Sequence, residues 1–311
     1  MNYENVVFGC ISAGIGAILV IMGLELNITN LKNTFTQKKW KVVGISALHF
    51  VAAPFAAFAV SHLLNLDPER NMALAMVSVT PPTVAASVTT FVVGGDMELS
   101  SAASVYTLFI SFLLTPAVFS IILPSSQELK LPWGQIFGIL IYLIFCKSVG
   151  ILLRWKLSNR TGVIKTIFKT VACCFMLTAV VIFVSQCGDL VKSTFVPDSS
   201  NLHYGSIMLY FTIYFVLSCV GAHFLSTTTS EKDAIVITAM RKNPAITLSI
   251  AASSFTNLSN EKYTKVMGML MAHAFMLDWC SMPFIFVLRK RRLGYICSAR
   301  RIPEENENNV I

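Results

Sequence analysis

Two stretches of the sequence decide the fold: Thr80-Pro81-Pro82-Thr83 lies in the middle of one apolar segment, and Lys242-Asn243-Pro244-Ala245 lies in the middle of another. A proline removes a backbone N–H donor and its ring clashes with the preceding helical turn, so each stretch predicts a break in a helix. Backbone groups freed by such a break are tolerated at membrane depth only where they are buried in protein or line a cavity. The two breaks therefore predict an interior site.

The composition is that of a membrane protein. Of the 311 residues, 55% are hydrophobic and 13% are charged, and the mean hydropathy is +0.67, whereas a soluble domain carries about 25% charged residues. Apolar runs of about 20 residues, the length that crosses a hydrocarbon core, alternate with short polar loops. These features exclude a soluble protein and indicate a lipid bilayer as a partner. The net charge of +8 does not indicate nucleic acid, because the basic residues cluster beside the apolar runs.

Nine membrane spans are predicted, in a single transmembrane domain that covers residues 1–288 and is followed by a basic, then polar, tail at 289–311. The first apolar run has no basic residues before it, so it is interpreted as a retained span and not as a signal peptide. The spans are expected at residues 6–26, 42–64, 72–93, 99–123, 133–155, 164–190, 204–225, 234–255 and 266–288.

The distribution of lysine and arginine predicts the orientation. Sixteen of these residues fall in the tail and in or beside the loops that join spans 1 and 2, 5 and 6, and 7 and 8, and five fall in the loops of the other side. Because loops with an excess of Lys and Arg face the cytoplasm, the N-terminus is expected outside and the C-terminus in the cytoplasm. The alternation holds for nine spans and fails for eight or ten.

An internal repeat relates the two halves of the chain. Pro82 in span 3 and Pro244 in span 8 are 162 residues apart, and Pro116 and Pro283 in the spans that follow are 167 residues apart. Spans 3 and 8 cross in opposite directions, so the repeat is inverted. Paired interrupted helices in corresponding halves are typical of the binding site of a secondary transporter. The alternative is that the prolines only kink two helices.

Few ionisable residues lie well inside the spans. A charge at the bilayer centre costs about 2.5–3.5 kcal/mol, so each of them is expected to face protein or water. They are Glu25, His49, Lys147, Arg241, Lys242, His273 and Asp278.

The cations beside the second break are the strongest candidates for contact with a substrate. Arg241 and Lys242 are expected to attract an anionic group, because arginine grips a carboxylate through two donors; the alternative is that both snorkel or pair with Asp278. The candidate substrate-binding residues are the members of the two breaks, namely Pro81, Pro82, Thr83, Arg241, Lys242, Asn243 and Pro244.

Three further residues have an ion-pair or proton-carrying interpretation. Lys147 is interpreted as a structural partner of Asp278 or Glu25. A proton relay through Asp278 and the nearby His273 stays an alternative, because ionisable chains inside membranes mark such relays. His49 is the candidate for proton coupling.

The order and spacing of several short motifs resemble the bile acid:sodium symporter family over nearly the whole chain, in a nine-span form. The stretch from Pro81 to Phe119 is similar to the family's first crossover segment, and Arg241-Lys242-Asn243-Pro244-Ala245 is similar to its second. Met22-Gly23-Leu24-Glu25-Leu26 resembles the signature at the end of the first span. The resemblance implies a core of spans 2, 3, 4, 7, 8 and 9 that moves against a panel of spans 1, 5 and 6.

The resemblance also implies a first sodium site, which is expected to be partly kept. In the family it uses a Ser-Asn pair after the first break together with hydroxyl groups of the next helix. Here the pair reads Ala86-Ser87, and the hydroxyls remain at Ser100 and Ser104.

A second sodium site is implied as well, and it is expected to be largely lost. In the family it uses a Gln of the second span and a Glu and a Gln around the second break. The matching positions here are His49, Thr238 and Lys242. Sodium coupling is therefore expected to be weakened or lost.

The expected function is secondary active transport of a small organic anion by alternating access, with the site between the two breaks and sodium or a proton as the coupling ion. No phosphate loop, zinc spacing or nucleophile elbow occurs, so no enzyme, metal site or cofactor is expected, and no obligate protein partner is evident. One alternative is a non-transporting membrane regulator that keeps the fold. Another is an arsenite-type carrier, which is disfavoured because no cysteine lies between Met72 and Val93.

Overall fold

The computed structural model describes five continuous stretches of the chain, residues 28–83, 85–122, 133–157, 161–186 and 197–243. It also describes shorter pieces at residues 9, 13–14, 16–21, 23–24, 247, 251, 262, 266–270, 272–273, 276, 287 and 290. Among these residues all regular secondary structure is helical, with one isolated backbone bridge and no strand. The predicted all-α fold is confirmed.

Ten α-helices and one π-helical turn make up the continuous stretches. In chain order they are α1 Ile28–Gln37, α2 Lys39–Ala47, the π-turn Leu48–Ala52, α3 Ala53–Leu63, α4 Pro68–Val79, α5 Ala85–Val92, α6 Met97–Ile122, α7 Trp133–Lys156, α8 Thr161–Gln186, α9 Pro197–Leu225 and α10 Thr229–Met240.

Two stretches of the described chain combine the length and the hydropathy of a membrane span, Lys39–Leu63 and Tyr204–Leu225. They coincide with predicted spans 2 and 7. The helices α6, α7 and α8 have 26, 24 and 26 residues, more than the roughly 20 that a bilayer needs. The count of nine spans, the division into core and panel and the tail at 289–311 involve residues outside the described part, so they stay predictions.

The first break follows directly from the prolines. Helix α4 begins at Pro68, where the side chain of Asp67 caps it by accepting from the Arg70 amide at 2.9 Å. It ends at Val79, because positions 81 and 82 are prolines and have no amide to continue the ladder. Thr80 is extended, with φ −67° and ψ 133°, and α5 begins at Ala85. The predicted break in span 3 is confirmed.

The π-turn inside the second span places His49 in the interior. Here the amide of Ala53 donates to the carbonyl of Leu48, and the next residue, Pro54, has no amide with which to resume the ordinary ladder. The turn widens the helix locally, a feature that recurs at functional sites. The His49 side chain is 0% exposed.

Helix α1 is an amphipathic helix in a segment that the sequence predicts to be a loop. Leu31 and Phe35 pack against the cluster around α2, α6 and α10, and the Phe35 ring lies 5.9 Å from the Tyr106 ring. Lys32 and Asn33 on its other side are exposed. The sequence does not predict this helix because its apolar face is narrow and most of its residues are polar.

Span 1 approaches α7 closely enough that only glycine fits at the contact. A Cβ atom on Gly23 would lie 2.3 Å from the carbonyl oxygen of Lys147, and one on Gly150 would lie 2.1 Å from the carbonyl oxygen of Val20. Small residues of this kind let helix backbones meet in membranes. Two spans assigned to the predicted panel are therefore in contact.

Charged side chains join several loops at one end of the bundle. Lys41 contacts Glu231 at 2.6 Å, and Lys38 contacts Glu231 at 3.1 Å and also Asp96. These groups tie the segment before the second span to the loop between α5 and α6 and to the start of α10.

The Glu231 carboxyl is held in its charged form by this network. Burial raises its pKa, but hydrogen bonds from Lys41, Ser226, Lys38 and Thr228 outweigh burial and hold the pKa at about 2. The carboxylate therefore stays ionised over the whole physiological range, because hydrogen bonds to the charged form favour that form.

Candidate functional site

The two broken helices cross at their breaks, and the crossing (residues 80–83 and 241–243) brings together the predicted substrate-binding residues. Pro82 and Lys242 form an antiparallel bridge. The amide of Thr83 donates to the carbonyl of Arg241 at 2.8 Å, and the amide of Asn243 donates to the carbonyl of Pro81 at 3.1 Å. The antiparallel pairing agrees with the predicted opposite directions of spans 3 and 8. The seventh predicted residue, Pro244, lies outside the described residues.

Lys242 is the most deeply buried cation of the crossing, with 1% of its surface exposed. Its Nζ donates to the carbonyl of Ser78 at 2.7 Å and lies 3.1 Å from the ring nitrogens of His49. It also stands over the Tyr214 ring, 5.0 Å from the centroid. Within the described part of the chain no carboxylate lies at ion-pair distance from this ammonium group.

Proline chemistry explains why the Ser78 carbonyl is available to Lys242. In a continuous helix the amide of residue 82 would donate to the carbonyl of residue 78. Pro82 has no amide, so this carbonyl is one of the unpaired acceptors at the end of α4. The ammonium of Lys242, the residue paired with Pro82 across the bridge, takes the place of the missing donor.

The hydrogen bonds of His49 fix its tautomer. Its Nε2 contacts the carbonyl oxygen of Thr80, which can only accept, so Nε2 carries the ring hydrogen. Nδ1 then carries the lone pair, and the ammonium of Lys242 lies 3.1 Å from both ring nitrogens. A neutral His49 thus links the extended residue of the first break to the cation of the second.

The residues of the predicted first sodium site form a chain of hydroxyl groups beside the crossing. Thr238 Oγ1 donates to Ser100 Oγ at 2.7 Å, and Ser100 Oγ donates to Ser87 Oγ at 3.5 Å. Ser104 lies one turn further along α6, is 3% exposed, and its hydroxyl has no hydrogen-bond partner among the residues that the structure describes. The cluster therefore joins α5, α6 and α10 through neutral oxygen atoms only.

Aromatic side chains of α9 form the wall of the site, and the sequence analysis did not single them out. Tyr214 donates to the carbonyl of Ala239 at 2.9 Å and stacks on Tyr210 at 5.8 Å. His273 stacks on Phe211 at 5.4 Å and is 1% exposed. The signal that could have found Tyr210 and Tyr214 is their spacing of four residues, which places both on one face of a helix.

Lys147 lies in the interior of α7, with 3% of its surface exposed. Its predicted partners, Asp278 and Glu25, lie outside the described residues, as does the Asp278 half of the proposed proton relay. The ion pair and the relay therefore stay predictions.

An all-helical protein in which two broken helices cross beside buried cations has the architecture of a secondary membrane transporter. The profile of the Sodium Bile acid symporter family matches residues 13–194, which is more than half of the chain, and the protein belongs to this family. It is accordingly an integral membrane transporter.

Two relatives are similar to the chain at low identity. The uncharacterized sodium-dependent transporter YocS of Bacillus subtilis (strain 168) is 24% identical over 248 residues, which cover 79% of this chain and 74% of the relative. The probable sodium/metabolite cotransporter BASS1, chloroplastic, of Arabidopsis thaliana is 27% identical over 103 residues, which cover 33% of this chain and 25% of the relative.

Proposed function

We propose that this protein is a secondary active transporter that carries a small organic anion by alternating access, with its substrate site at the crossing. The observation that carries the proposal is the adjacent pair Arg241 and Lys242, buried at 8% and 1% exposure where the two broken helices meet. Burying charge is unfavourable unless an opposite charge compensates it. Within the described part of the chain no carboxylate lies at ion-pair distance from Lys242, so an anionic substrate would compensate its charge.

The two cations have different parts in this proposal. The three donors of Lys242 face Ser78, His49 and Tyr214, so Lys242 attracts the substrate through its charge without gripping it. The guanidinium of Arg241 has five donors in a planar fork suited to a carboxylate or a sulfonate. Direct contact with the anion is therefore assigned to Arg241.

Sodium coupling is proposed to be weak or absent. The relatives' names describe sodium-dependent transport, which is a property of those proteins. In this chain the hydroxyls of Ser87, Ser100 and Ser104 are neutral, and Thr238 bonds Ser100 without adding charge. A sodium ion about 4 Å from the Lys242 ammonium would be repelled by about 4 kcal/mol at an effective dielectric of 20.

The proposed arrangement in the membrane has nine spans, with the N-terminus outside and the C-terminus in the cytoplasm. The contacts of Lys38 and Lys41 with Glu231 and Asp96 support it, because they join at one end the loops expected on the cytoplasmic side. The Lys262–Glu69 contact at 3.8 Å joins two loops expected on the other side.

Uptake into proteoliposomes tests the proposal. Purified protein would be reconstituted and given a panel of radiolabelled carboxylates and sulfonates, with empty liposomes as the baseline. Wild type is expected to accumulate at least one of these anions, Arg241→Gln to lose that uptake, and Arg154→Gln, which removes an arginine away from the crossing, to keep it. If folded wild type takes up none of these anions, the alternative of a non-transporting membrane regulator is favoured.

A further inference from the structure

The last carbonyl groups of α4 would have accepted hydrogen bonds from backbone amides if the helix had continued. The last four carbonyls of a helix have no donor within the helix, and all four of α4 are paired, two by Thr80 directly after the helix and two by distant residues. The donors are Thr80 Oγ1 for Met76 at 2.7 Å, the Thr80 amide for Val77 at 3.4 Å, Lys242 Nζ for Ser78 at 2.7 Å and Thr115 Oγ1 for Val79 at 3.5 Å. One of the four donors is a cation, and the others are neutral.

This helix end has the chemistry of a cation site. Its carbonyls carry the negative end of the α4 dipole, and unwound carbonyls at the ends of half-helices are the groups that hold coupling cations in transporters. The neutral ring of His49 adds a further acceptor, with both ring nitrogens 3.1 Å from the ammonium. The face of Tyr214 completes the shell, because aromatic faces attract cations.

The ammonium of Lys242 fits this shell in its charged form. It has three N–H donors, and it faces three acceptors: the Ser78 carbonyl, the His49 ring and the Tyr214 ring. A neutral amine would have one donor fewer and a lone pair needing a donor, which the Ser78 carbonyl cannot supply. The surroundings therefore match a monovalent cation and not an amine.

We propose that Lys242 is a tethered cation that permanently fills a monovalent-cation site formed by the end of α4 and the π-turn, and that the site binds free sodium once the lysine charge is removed. Its part in the transport cycle rests on the proposed function. The existence of the site does not, because ion binding can be measured without transport.

Sodium-dependent thermal stability of the purified protein tests the proposal, with sodium chloride as the probe and choline chloride at equal concentration as the reference. Lys242→Gln removes the charge and supplies an amide oxygen, and Lys242→Met removes the charge and keeps the volume. Both are expected to unfold at a temperature higher by about 2–4 °C in sodium than in choline, because a ligand that binds only the folded state stabilises it. Wild type and Lys242→Arg are expected to show no difference.

Lys147→Gln is the matched control, since it removes another buried lysine but leaves the crossing intact, and it is expected to show no sodium response. A sodium response of wild type, or its absence in both folded Lys242 variants, would overturn the proposal. If Lys242→Gln does not fold, the sodium response of Lys242→Met tests the proposal. If neither variant folds in either salt, sodium cannot replace the lysine and the proposal fails. If wild type takes up no anion but the Lys242 variants show the expected sodium response, only the proposed transport function is contradicted.

Discussion

Lys242 Nζ lies 2.7 Å from the carbonyl oxygen of Ser78, although the two residues are 164 positions apart in the chain. The contact exists because Pro82 leaves that carbonyl without its helical donor. It joins the end of the first half-helix of one repeat to the broken segment of the other. A change in the backbone at the first break is therefore expected to alter the position of Lys242 at the second.

Replacement of Pro82 tests this relationship. Pro82→Ala supplies an amide that competes with Lys242 for the Ser78 carbonyl and lets α4 continue. We expect anion uptake to fall by more than tenfold while surface expression changes much less, because a stiffened break hinders rearrangement at the crossing. Uptake normalised to surface expression measures the effect.

Pro68→Ala is the matched control for that variant. Pro68 occupies the first position of α4, where proline replaces no helical donor, so uptake is expected to be unchanged. Normal uptake by Pro82→Ala would mean that the helix is merely kinked at this point and that the site lies elsewhere.

The aromatic wall provides a second prediction. Tyr214→Phe keeps the ring under Lys242 but loses the hydrogen bond to the Ala239 carbonyl, which contributes about 1 kcal/mol. Tyr214→Leu also loses the cation–π contact, worth about 2 kcal/mol in a desolvated site. In thermal unfolding in detergent, wild type is expected to be the most stable, Tyr214→Phe less stable and Tyr214→Leu the least stable.

Tyr210→Phe is the control for the hydroxyl group. The Tyr210 hydroxyl is buried and has no hydrogen-bond partner within the described part of the chain, so its removal is expected to leave stability unchanged or raise it. Equal stability of Tyr214→Phe and Tyr214→Leu would show that the ring face does not hold the lysine.

The ion network at the loop end predicts a pH dependence of stability. The folded protein keeps the pKa of Glu231 at about 2, whereas the unfolded chain takes up this proton in the ordinary carboxyl range near pH 4. Between these two values the unfolded state binds more protons, so the contribution of Glu231 is complete above the ordinary range and is lost as the pH falls towards 2.

Glu231→Gln should remove this part of the pH dependence. We expect it to lower the free energy of unfolding by about 2 kcal/mol at neutral pH, since Lys41 and Lys38 lose a charged acceptor. The unfolding temperature of wild type should then fall more steeply between pH 5 and pH 3 than that of the variant. Glu98→Gln, which removes an exposed carboxylate bonded to Asn30, should change stability by less than about 0.5 kcal/mol. Parallel pH profiles of wild type and Glu231→Gln would contradict the assignment.

Cysteine labelling tests the proposed orientation across α9. This helix has 29 residues and is roughly 43 Å long at 1.5 Å per residue, so its two ends face opposite sides of a membrane. In a cysteine-free background, Ser199→Cys at its start is expected to react with an impermeant thiol reagent added to intact cells. Thr229→Cys, beyond its end, should react only after permeabilisation. Labelling of Thr229→Cys from outside would reverse the orientation.

The sequence predicted the features that depend on local backbone chemistry. The break at Pro82 was predictable because proline lacks an amide wherever it occurs. The pairing of the two breaks was predictable because the repeat places Pro82 and Pro244 in spans that run in opposite directions.

Other features depend on contacts between distant parts of the chain, and the sequence could not show them. That Lys242 would bond to Ser78 and stand over Tyr214 follows from how α4, α9 and α10 meet. The spacing of four residues places Tyr210 and Tyr214 on one helix face, but α9 has many aromatic residues, so the spacing does not show which ring contacts Lys242. The π-turn at His49 had a signal in Pro54, but proline in the first turn of a helix usually marks only a beginning.

The most direct test of the central claim is anion uptake by wild-type proteoliposomes when external sodium is replaced by choline at constant pH and ionic strength. The account predicts that most of the uptake remains, because the fixed charge of Lys242 stands where a free cation would otherwise bind and the hydroxyls of Ser87, Ser100 and Ser104 are neutral. Loss of most uptake in choline would contradict it and show that this protein transports by sodium symport.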